Sequence, residues 1–294
     1  MPKELVIISG KGGTGKTTIA ACLAAFVGSK VLADADVDAA DLFILLKPRI
    51  RNVEDFQSGH KAWLDPGLCT QCGQCVELCR AGAISEDYRV DPVGCEGCGV
   101  CVRFCPVGAM EMRQSICGQW FISDTDYGPF VHARLGAGEE NSGKLVTLVR
   151  HQARLIAEEQ GLEWILVDGP PGIGCPVISS ITGASAVLIV TEPTVSGIHD
   201  MKRVAELAAH FKVPSAACIN RWDINVEVSG EISSYCEKAG ILLAGKIPYD
   251  REVPRALVRR KILVEHDPTG EASREIKAVW DRVRFLAQEA RHAQ

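Results

Sequence analysis

Short apolar runs of the length of buried strands recur at residues 3–9, 31–33, 164–167, 186–190, 216–219 and 242–247, without the polar alternation of a half-exposed strand. Between several of them the spacing turns helical, over 19–27, 144–159 and 199–210. A last helix is predicted over 271–290, with Ile276, Val279, Trp280, Val283 and Leu286 on one face. Its polar face mixes signs instead of being basic, so this helix is expected to pack on the sheet and not on a membrane surface. Strand and helix in alternation predict an α/β fold, a parallel sheet covered by helices on both faces. The rhythm breaks between about 61 and 112, where glycine and cysteine dominate. The expected organisation is therefore one domain from 1–60 and 113–294, and an inserted module over 61–112. The polar stretch 118–143 is expected to be a turn-rich return from the insert.

Composition narrows the function. The chain has 294 residues, 47% hydrophobic and 23% charged, within the range of ordinary globular proteins. Lys+Arg 32 against Asp+Glu 37 leaves a net charge of -5, so no broad basic field exists to hold a nucleic acid. No apolar run approaches the roughly 18 residues of a membrane span, and a cytoplasmic location is expected. Thirteen cysteines in such a chain read as metal or redox groups, not disulfides. Eight lie between Cys69 and Cys105; the others are Cys22, Cys117, Cys175, Cys218 and Cys236.

Those eight form an internal repeat: Cys69, Cys72, Cys75, Cys79, Gly82 and Ala83 recur 26 residues later as Cys95, Cys98, Cys101, Cys105, Gly108 and Ala109. Each run has the C-x2-C-x2-C-x3-C spacing of bacterial ferredoxins with two [4Fe-4S] clusters, in which three thiolates wrap one cubane and the fourth ligates the other. One cluster is thus assigned to Cys69, Cys72, Cys75 and Cys105, and the second to Cys95, Cys98, Cys101 and Cys79. Structural zinc is the alternative, although four-cysteine zinc sites pair two C-x-x-C elements across a longer loop. Arg80 follows Cys79 where such runs usually carry proline, which alters a cluster's surroundings without removing a ligand.

Gly10-Lys11-Gly12-Gly13-Thr14-Gly15-Lys16-Thr17 matches the phosphate-binding G-x-x-x-x-G-K-[ST], and it lies between a predicted strand and helix as that loop requires. Lys16 is placed to reach the β and γ phosphates and the Thr17 hydroxyl to coordinate Mg²⁺. The second lysine, Lys11, makes the string through Thr18 resemble the deviant Walker A loop of the MinD/ParA and nitrogenase iron protein superfamily. That resemblance implies nucleotide contacts from Gly12, Gly13, Thr14, Gly15, Lys16, Thr17 and Thr18, and a Lys11 that crosses a dimer interface to the partner's phosphates. It further implies that Asp36, in Ala33-Asp34-Ala35-Asp36, positions the attacking water. Asp168, in Val167-Asp168-Gly169-Pro170-Pro171-Gly172, then holds a water of the Mg²⁺ shell, and Gly172 senses the γ phosphate. Asn220 and Pro248 resemble the adenine-contacting positions.

As a whole the chain is similar to MinD-type P-loop ATPases that carry an inserted ferredoxin domain, including the ATPase subunits of the orange protein complex. The resemblance implies ATP/ADP, Mg²⁺ and two [4Fe-4S] clusters as cofactors. It implies an ATP-dependent homodimer, or a heterodimer with a related ATPase subunit, acting on a redox or Fe-S client protein. Three functions stay open: ATP-gated electron transfer, Fe-S or metal-centre assembly of the Mrp type, and MinD-like positioning. Mrp-type proteins hold a transferable cluster on a late C-x-x-C pair, whereas Cys218 and Cys236 are solitary here. Cys175, seven residues past Asp168, lies where the nitrogenase iron protein carries a shared cluster ligand; a small cysteine packed beneath the switch loop is the plainer expectation. No chemistry is assigned to residues 136–144.

Overall fold

The computed structural model describes residues 1–136, 139 and 142–289. Nine strands lie in one sheet: β1 (Lys3–Ser9), β2 (Lys30–Asp34), β3 (Arg49–Leu64), β4 (Met110–Thr125), β5 (Gly128–Leu135), β6 (Trp164–Pro171), β7 (Ala186–Thr191), β8 (Ser215–Asn220) and β9 (Leu242–Ile247). Their order is β3-β4-β5-β2-β6-β1-β7-β8-β9. The chain divides into two units, one of 1–53, 120–134 and the residues from 142 on, the other of 54–119 with 135–141.

In the first unit β1 lies parallel to both β6 and β7, and β2 is parallel to β5 and β6. The chain order reverses beside β1, and in open α/β sheets such a switch point, at the carboxyl ends of the strands, is where ligands bind. The run Leu5–Ile8 is fully buried because β1 is central and covered on both faces. The last helix, Glu271–Glu289, packs as its spacing predicts: Ile276, Val279, Trp280 and Val283 are buried, and Trp280 meets Trp164 edge-on at 4.8 Å. Among the described residues no helix is long and apolar enough to cross a membrane.

The stretch 118–143 departs from expectation. Instead of a turn-rich return it holds the end of β4 and all of β5, joined by Asp126 and Tyr127, a connection only an antiparallel pair can use. Cys117, Trp120, Ser123 and Thr125 of β4 are buried while Gly118, Phe121, Ile122 and Asp124 are half-buried and Gln119 is exposed, and this mixture of polar and apolar positions hid the strand. The same holds for β3, in which only Phe56, Ser58 and Ala62 are buried.

The second unit contains the far parts of β3 and β4, the short helices Gln74–Leu78 and Val100–Arg103, and a bridge between Ile84 and Val90. Its apolar centre is small: Ala62, Ile84, Cys101 and Met110 are buried, with Leu64, Val76, Val90 and Val102 packed around them. So little apolar area is the regime in which metals or other cross-links are usually needed for stability.

One buried ion pair ties the first unit together. Glu4 of β1 accepts from Arg150 Nε at 2.5 Å and Arg154 Nη2 at 2.8 Å, and Arg150 also donates to the Thr182 carbonyl at 3.0 Å. Replacing Arg150 by Met leaves Glu4 buried and less compensated, and is expected to cost about 3 kcal/mol. Denaturant melts measure this; a loss below about 1 kcal/mol would contradict it.

Candidate functional site

The phosphate loop leaves the end of β1 and turns into the helix Lys16–Phe26. Gly15 lies at φ +93° and a Cβ there would come within 2.4 Å of Asn220 Nδ2, so the position admits only glycine. Asn220, at the end of β8, donates through Nδ2 to the Thr14 carbonyl at 2.7 Å and so clamps the loop. Gly172, at φ +93° after β6, donates its N–H to the Ser9 carbonyl at 2.9 Å, which brings the second switch segment against the root of the loop.

Lys16 Nζ lies 3.0 Å from Asp36 Oδ2 and 3.9 Å from Asp168 Oδ1. Burial opposes its charge, but Asp168, Asp36 and Asp34 together raise its pKa above the ordinary lysine value. Asp34 and Asp168 are register partners on β2 and β6. Burial, followed by the charges of Asp168 and Asp36, pushes the Asp34 carboxyl well up. Its oxygens accept from the Asp36 N–H at 3.1 Å and the Leu42 N–H at 3.2 Å, fixing the start of the helix Leu42–Leu46. Asp168 is 1% exposed, and the Lys16 ammonium, 3.9 Å from Oδ1, and the Thr17 hydroxyl both favour its charged form. Burial above all raises it to about 6, against the pull of Lys16. The Thr14 hydroxyl is also buried without a partner. A buried carboxylate and threonine hydroxyls beside a buried ammonium fit a hydrated Mg²⁺ and a phosphate: Thr17 and Asp168 would hold the ion and its water, and the loop the phosphate.

Beside the loop is a cavity of about 290 Å³ lined by Gly15, Thr18, Asn220, Pro248, Tyr249 and Leu257, among others. Both positions expected to contact adenine border it. Lys11 is held within the chain: its Nζ lies 2.5 Å from Glu192 Oε1, 3.2 Å from Thr194 Oγ1 and 3.1 Å from Ser196 Oγ. Glu192 and Asp34 were not singled out from the sequence; both stand at strand ends on the carboxyl side of the sheet, the signal by which they are recognisable. Cys175 corrects the expectation of a packed core residue: it is exposed, at the first position of the helix Cys175–Ile181. Cys117 is buried in the second unit, its thiol donating to the Ser58 carbonyl at 2.6 Å. Of residues 136–144, 137, 138, 140 and 141 lie outside the described residues.

The eight repeat cysteines are free thiols around two cavities of the second unit. Cys69, Cys72, Cys75 and Cys105 line one, of about 20 Å³. Cys79, Cys95, Cys98 and Cys101 line the other, of about 370 Å³. Three cysteines of one run meet the fourth of the other in each case. Among the described residues no three His, Cys, Asp or Glu side chains converge on a single-ion site; the thiols instead stand around the cavity walls. Backbone N–H groups point at some of them, from Gln71 to Cys69 Sγ at 3.4 Å, Ala109 to Cys105 Sγ at 3.2 Å and Ala62 to Cys95 Sγ at 3.4 Å. For Cys105 burial works against the thiolate, yet the surrounding N–H groups of Val107, Met110, Ala109 and Gly108 bring its pKa down. An all-thiol quartet met by amide donors is the donor set that a [4Fe-4S] cluster takes.

Comparison with known proteins agrees with the phosphate site. The CobQ/CobB/MinD/ParA nucleotide binding domain matches residues 5–264. The chain belongs to this family. It is 31% identical to the uncharacterized protein MJ0578 of Methanocaldococcus jannaschii over 96% of both chains. It is 24% identical to the iron-sulfur cluster carrier protein of Pyrococcus abyssi, over 86% of this chain and 76% of that one. Among solved structures, the septum site-determining protein MinD of Pyrococcus horikoshii, complexed with Mg-ADP, superposes with a TM-score of 0.58 at 19% identity, covering 99% of each chain. This CbiA-type chain therefore has the parallel-sheet fold of MinD.

With its folded pKa raised to about 6 from the ordinary 3.8, Asp168 favours the folded state while protonated; that contribution is complete below about pH 4 and lost as pH rises through 6. Asp168→Asn is accordingly expected to melt about 3 °C or more above wild type at pH 8 without nucleotide, the gap closing between pH 6 and 4. Calorimetry across that range checks it; equal melting temperatures at pH 8 would contradict the assignment of burial as the dominant effect.

Proposed function

We propose that this protein is an ATP-binding and ATP-hydrolysing iron-sulfur protein, in which a nucleotide-dependent dimer gates electron transfer through two [4Fe-4S] clusters held by the inserted unit. The observation that carries this reading is the crossed arrangement of the quartets, three thiols of one run with the fourth of the other at each cavity. Clusters held in that way are resident, and supply one-electron redox chemistry. Cys69, Cys72, Cys75 and Cys105 hold one; Cys95, Cys98, Cys101 and Cys79 hold the other.

Nucleotide handling follows from the charges at the phosphate loop. Lys16 is neutralised by Asp36 at 3.0 Å while no phosphate is present. Arrival of the γ phosphate draws the ammonium away and frees the Asp36 carboxylate to orient a water in line with the phosphorus. Thr17 and Asp168 would hold Mg²⁺ and a water of its shell, which would neutralise phosphate charge, and Gly12, Gly13, Thr14, Gly15, Thr17 and Thr18 form the cradle. Asn220 and Pro248 border the base cavity. Lys11, released from Glu192, reaches the partner's phosphates, and the partner is a second copy or a related ATPase subunit. Order in the loops around Asp36 and Gly172 then depends on the γ phosphate, which gives the dimer two states.

A second reading, cluster delivery to a client, draws support from the Pyrococcus abyssi relative named as an iron-sulfur cluster carrier protein. Against it, Cys218 and Cys236, the late cysteines of the nucleotide-binding unit, are each fully buried, and burial raises their pKa to about 12 and about 11. Neither is available to hold an exchangeable cluster.

Anaerobic purification is expected to yield about eight irons per chain, retained on incubation with an apo-acceptor protein. Transfer of that iron to the acceptor would favour the carrier reading, and stoichiometric zinc would defeat both. Asp36→Ala is expected to bind ATP with near wild-type affinity and hydrolyse it about 100-fold more slowly, since the phosphate cradle is intact and only water positioning is lost. Wild-type turnover by this variant would remove Asp36 from the mechanism.

A further inference from the structure

The 26-residue repeat makes the two quartets equivalent in sequence, yet the structure treats them differently at three points. Arg80 and Glu96 line the cavity of Cys79, Cys95, Cys98 and Cys101, whereas their repeat counterparts at the other cavity are the uncharged Pro106 and Thr70. That other cavity has no charged residue in its lining. Next, three successive residues of β3 make close polar or backbone approaches to Cys95 and Gly97 of the second run. A Cβ on Gly97, which lies at φ +68°, would come within 2.3 Å of the His60 carbonyl. Lys61 Nζ donates to the Cys95 carbonyl at 3.1 Å, and the Ala62 N–H points at Cys95 Sγ at 3.4 Å. The counterpart of Gly97 is Gln71, a side-chain-bearing residue at φ +54° whose carbonyl accepts from the Tyr88 hydroxyl at 2.6 Å. Finally, Lys61 is itself braced: Glu139, from the segment to which sequence alone assigned no role, lies 3.5 Å from its Nζ, with the two side chains 20% and 14% exposed.

We propose that Lys61 is a positioning residue that sets the reduction potential of the cluster held by Cys95, Cys98, Cys101 and Cys79 and leaves the other cluster unaffected, with Glu139 attenuating its effect. This rests on the cluster-binding reading above. Reduction adds one electron, and hence one negative charge, to a cluster. An ammonium bound to a ligand's own carbonyl stabilises the reduced form, and the carboxylate behind it, one contact further out, weakens that stabilisation. At the first quartet the recorded donors are neutral amides, from Gln71 and Ala109. Amide donors act on both clusters; a charged donor acts on one. Partial burial of Lys61 and Glu139 keeps water from screening the pair as it would on an open surface.

The test is an anaerobic titration of the eight-iron protein with dithionite as the one-electron donor, followed by electron paramagnetic resonance, in wild type, Lys61→Met, Lys61→Arg and Glu139→Gln. Expected is one midpoint moved to more negative values by Lys61→Met, the same midpoint moved to more positive values by Glu139→Gln, and the wild-type value largely kept by Lys61→Arg. The second midpoint is expected to stay fixed throughout. Midpoints unmoved by Lys61→Met, or both moved alike, in protein that still carries eight irons would overturn the role of Lys61 while leaving the clusters in place. Loss of iron in wild type would instead remove the reading on which it rests. If Lys61→Met does not retain iron, Glu139→Gln alone decides: a fixed pair of midpoints overturns the proposal.

Discussion

A single buried ammonium holds the nucleotide site together. Lys16 faces Asp36 and Asp168, with Asp34 behind them, and three carboxylates at the ends of two neighbouring strands are tolerable there only because of that cation. Asp168 is almost wholly buried, and both it and Asp34 are pushed towards the protonated form, mainly by burial. Charge that is poorly compensated in the free protein is what a magnesium nucleotide compensates on binding, and natural sites give up stability in this way for function. Asp34 extends the consequence outward, because the same carboxylate that crowds Asp168 also fixes the first turn of the helix Leu42–Leu46.

How far the fold was legible depended on burial. Central strands such as β1 and β7 are read directly from their apolar runs, Leu5–Ile8 and Ala186–Val190, since both faces are covered and no polar residue interrupts those runs. The three strands at the β3 end of the sheet were not. In β3 and much of β4 one face is open, the side chains on that face are charged or polar, and strand and loop then look alike in composition. In the site, residues fixed by local spacing were readable: the phosphate loop is one contiguous turn, and the cysteine runs carry their pairing in their spacing. Contacts made across the chain were not readable, and Glu192 against Lys11 or Glu139 against Lys61 are of that kind. Cys175 shows the opposite failure, an expectation of burial overturned because the cysteine opens a short helix at the surface.

The strands β3 and β4 each have residues in both units. β3 begins three residues after the helix whose start Asp34 fixes, and the same strand carries His60, Lys61 and Ala62, which engage the Cys95–Gly97 loop within the second unit. β4 starts beside Ala109, whose N–H points at Cys105 Sγ.

The central claim is that nucleotide state is felt at the clusters. Its most direct test is a redox titration of the eight-iron protein with saturating Mg-ADP and again with a non-hydrolysable ATP analogue and Mg²⁺. The account requires at least one midpoint potential to differ reproducibly between the two nucleotide states. Identical potentials in both states, in protein shown by sedimentation to have dimerised with the analogue, would contradict it.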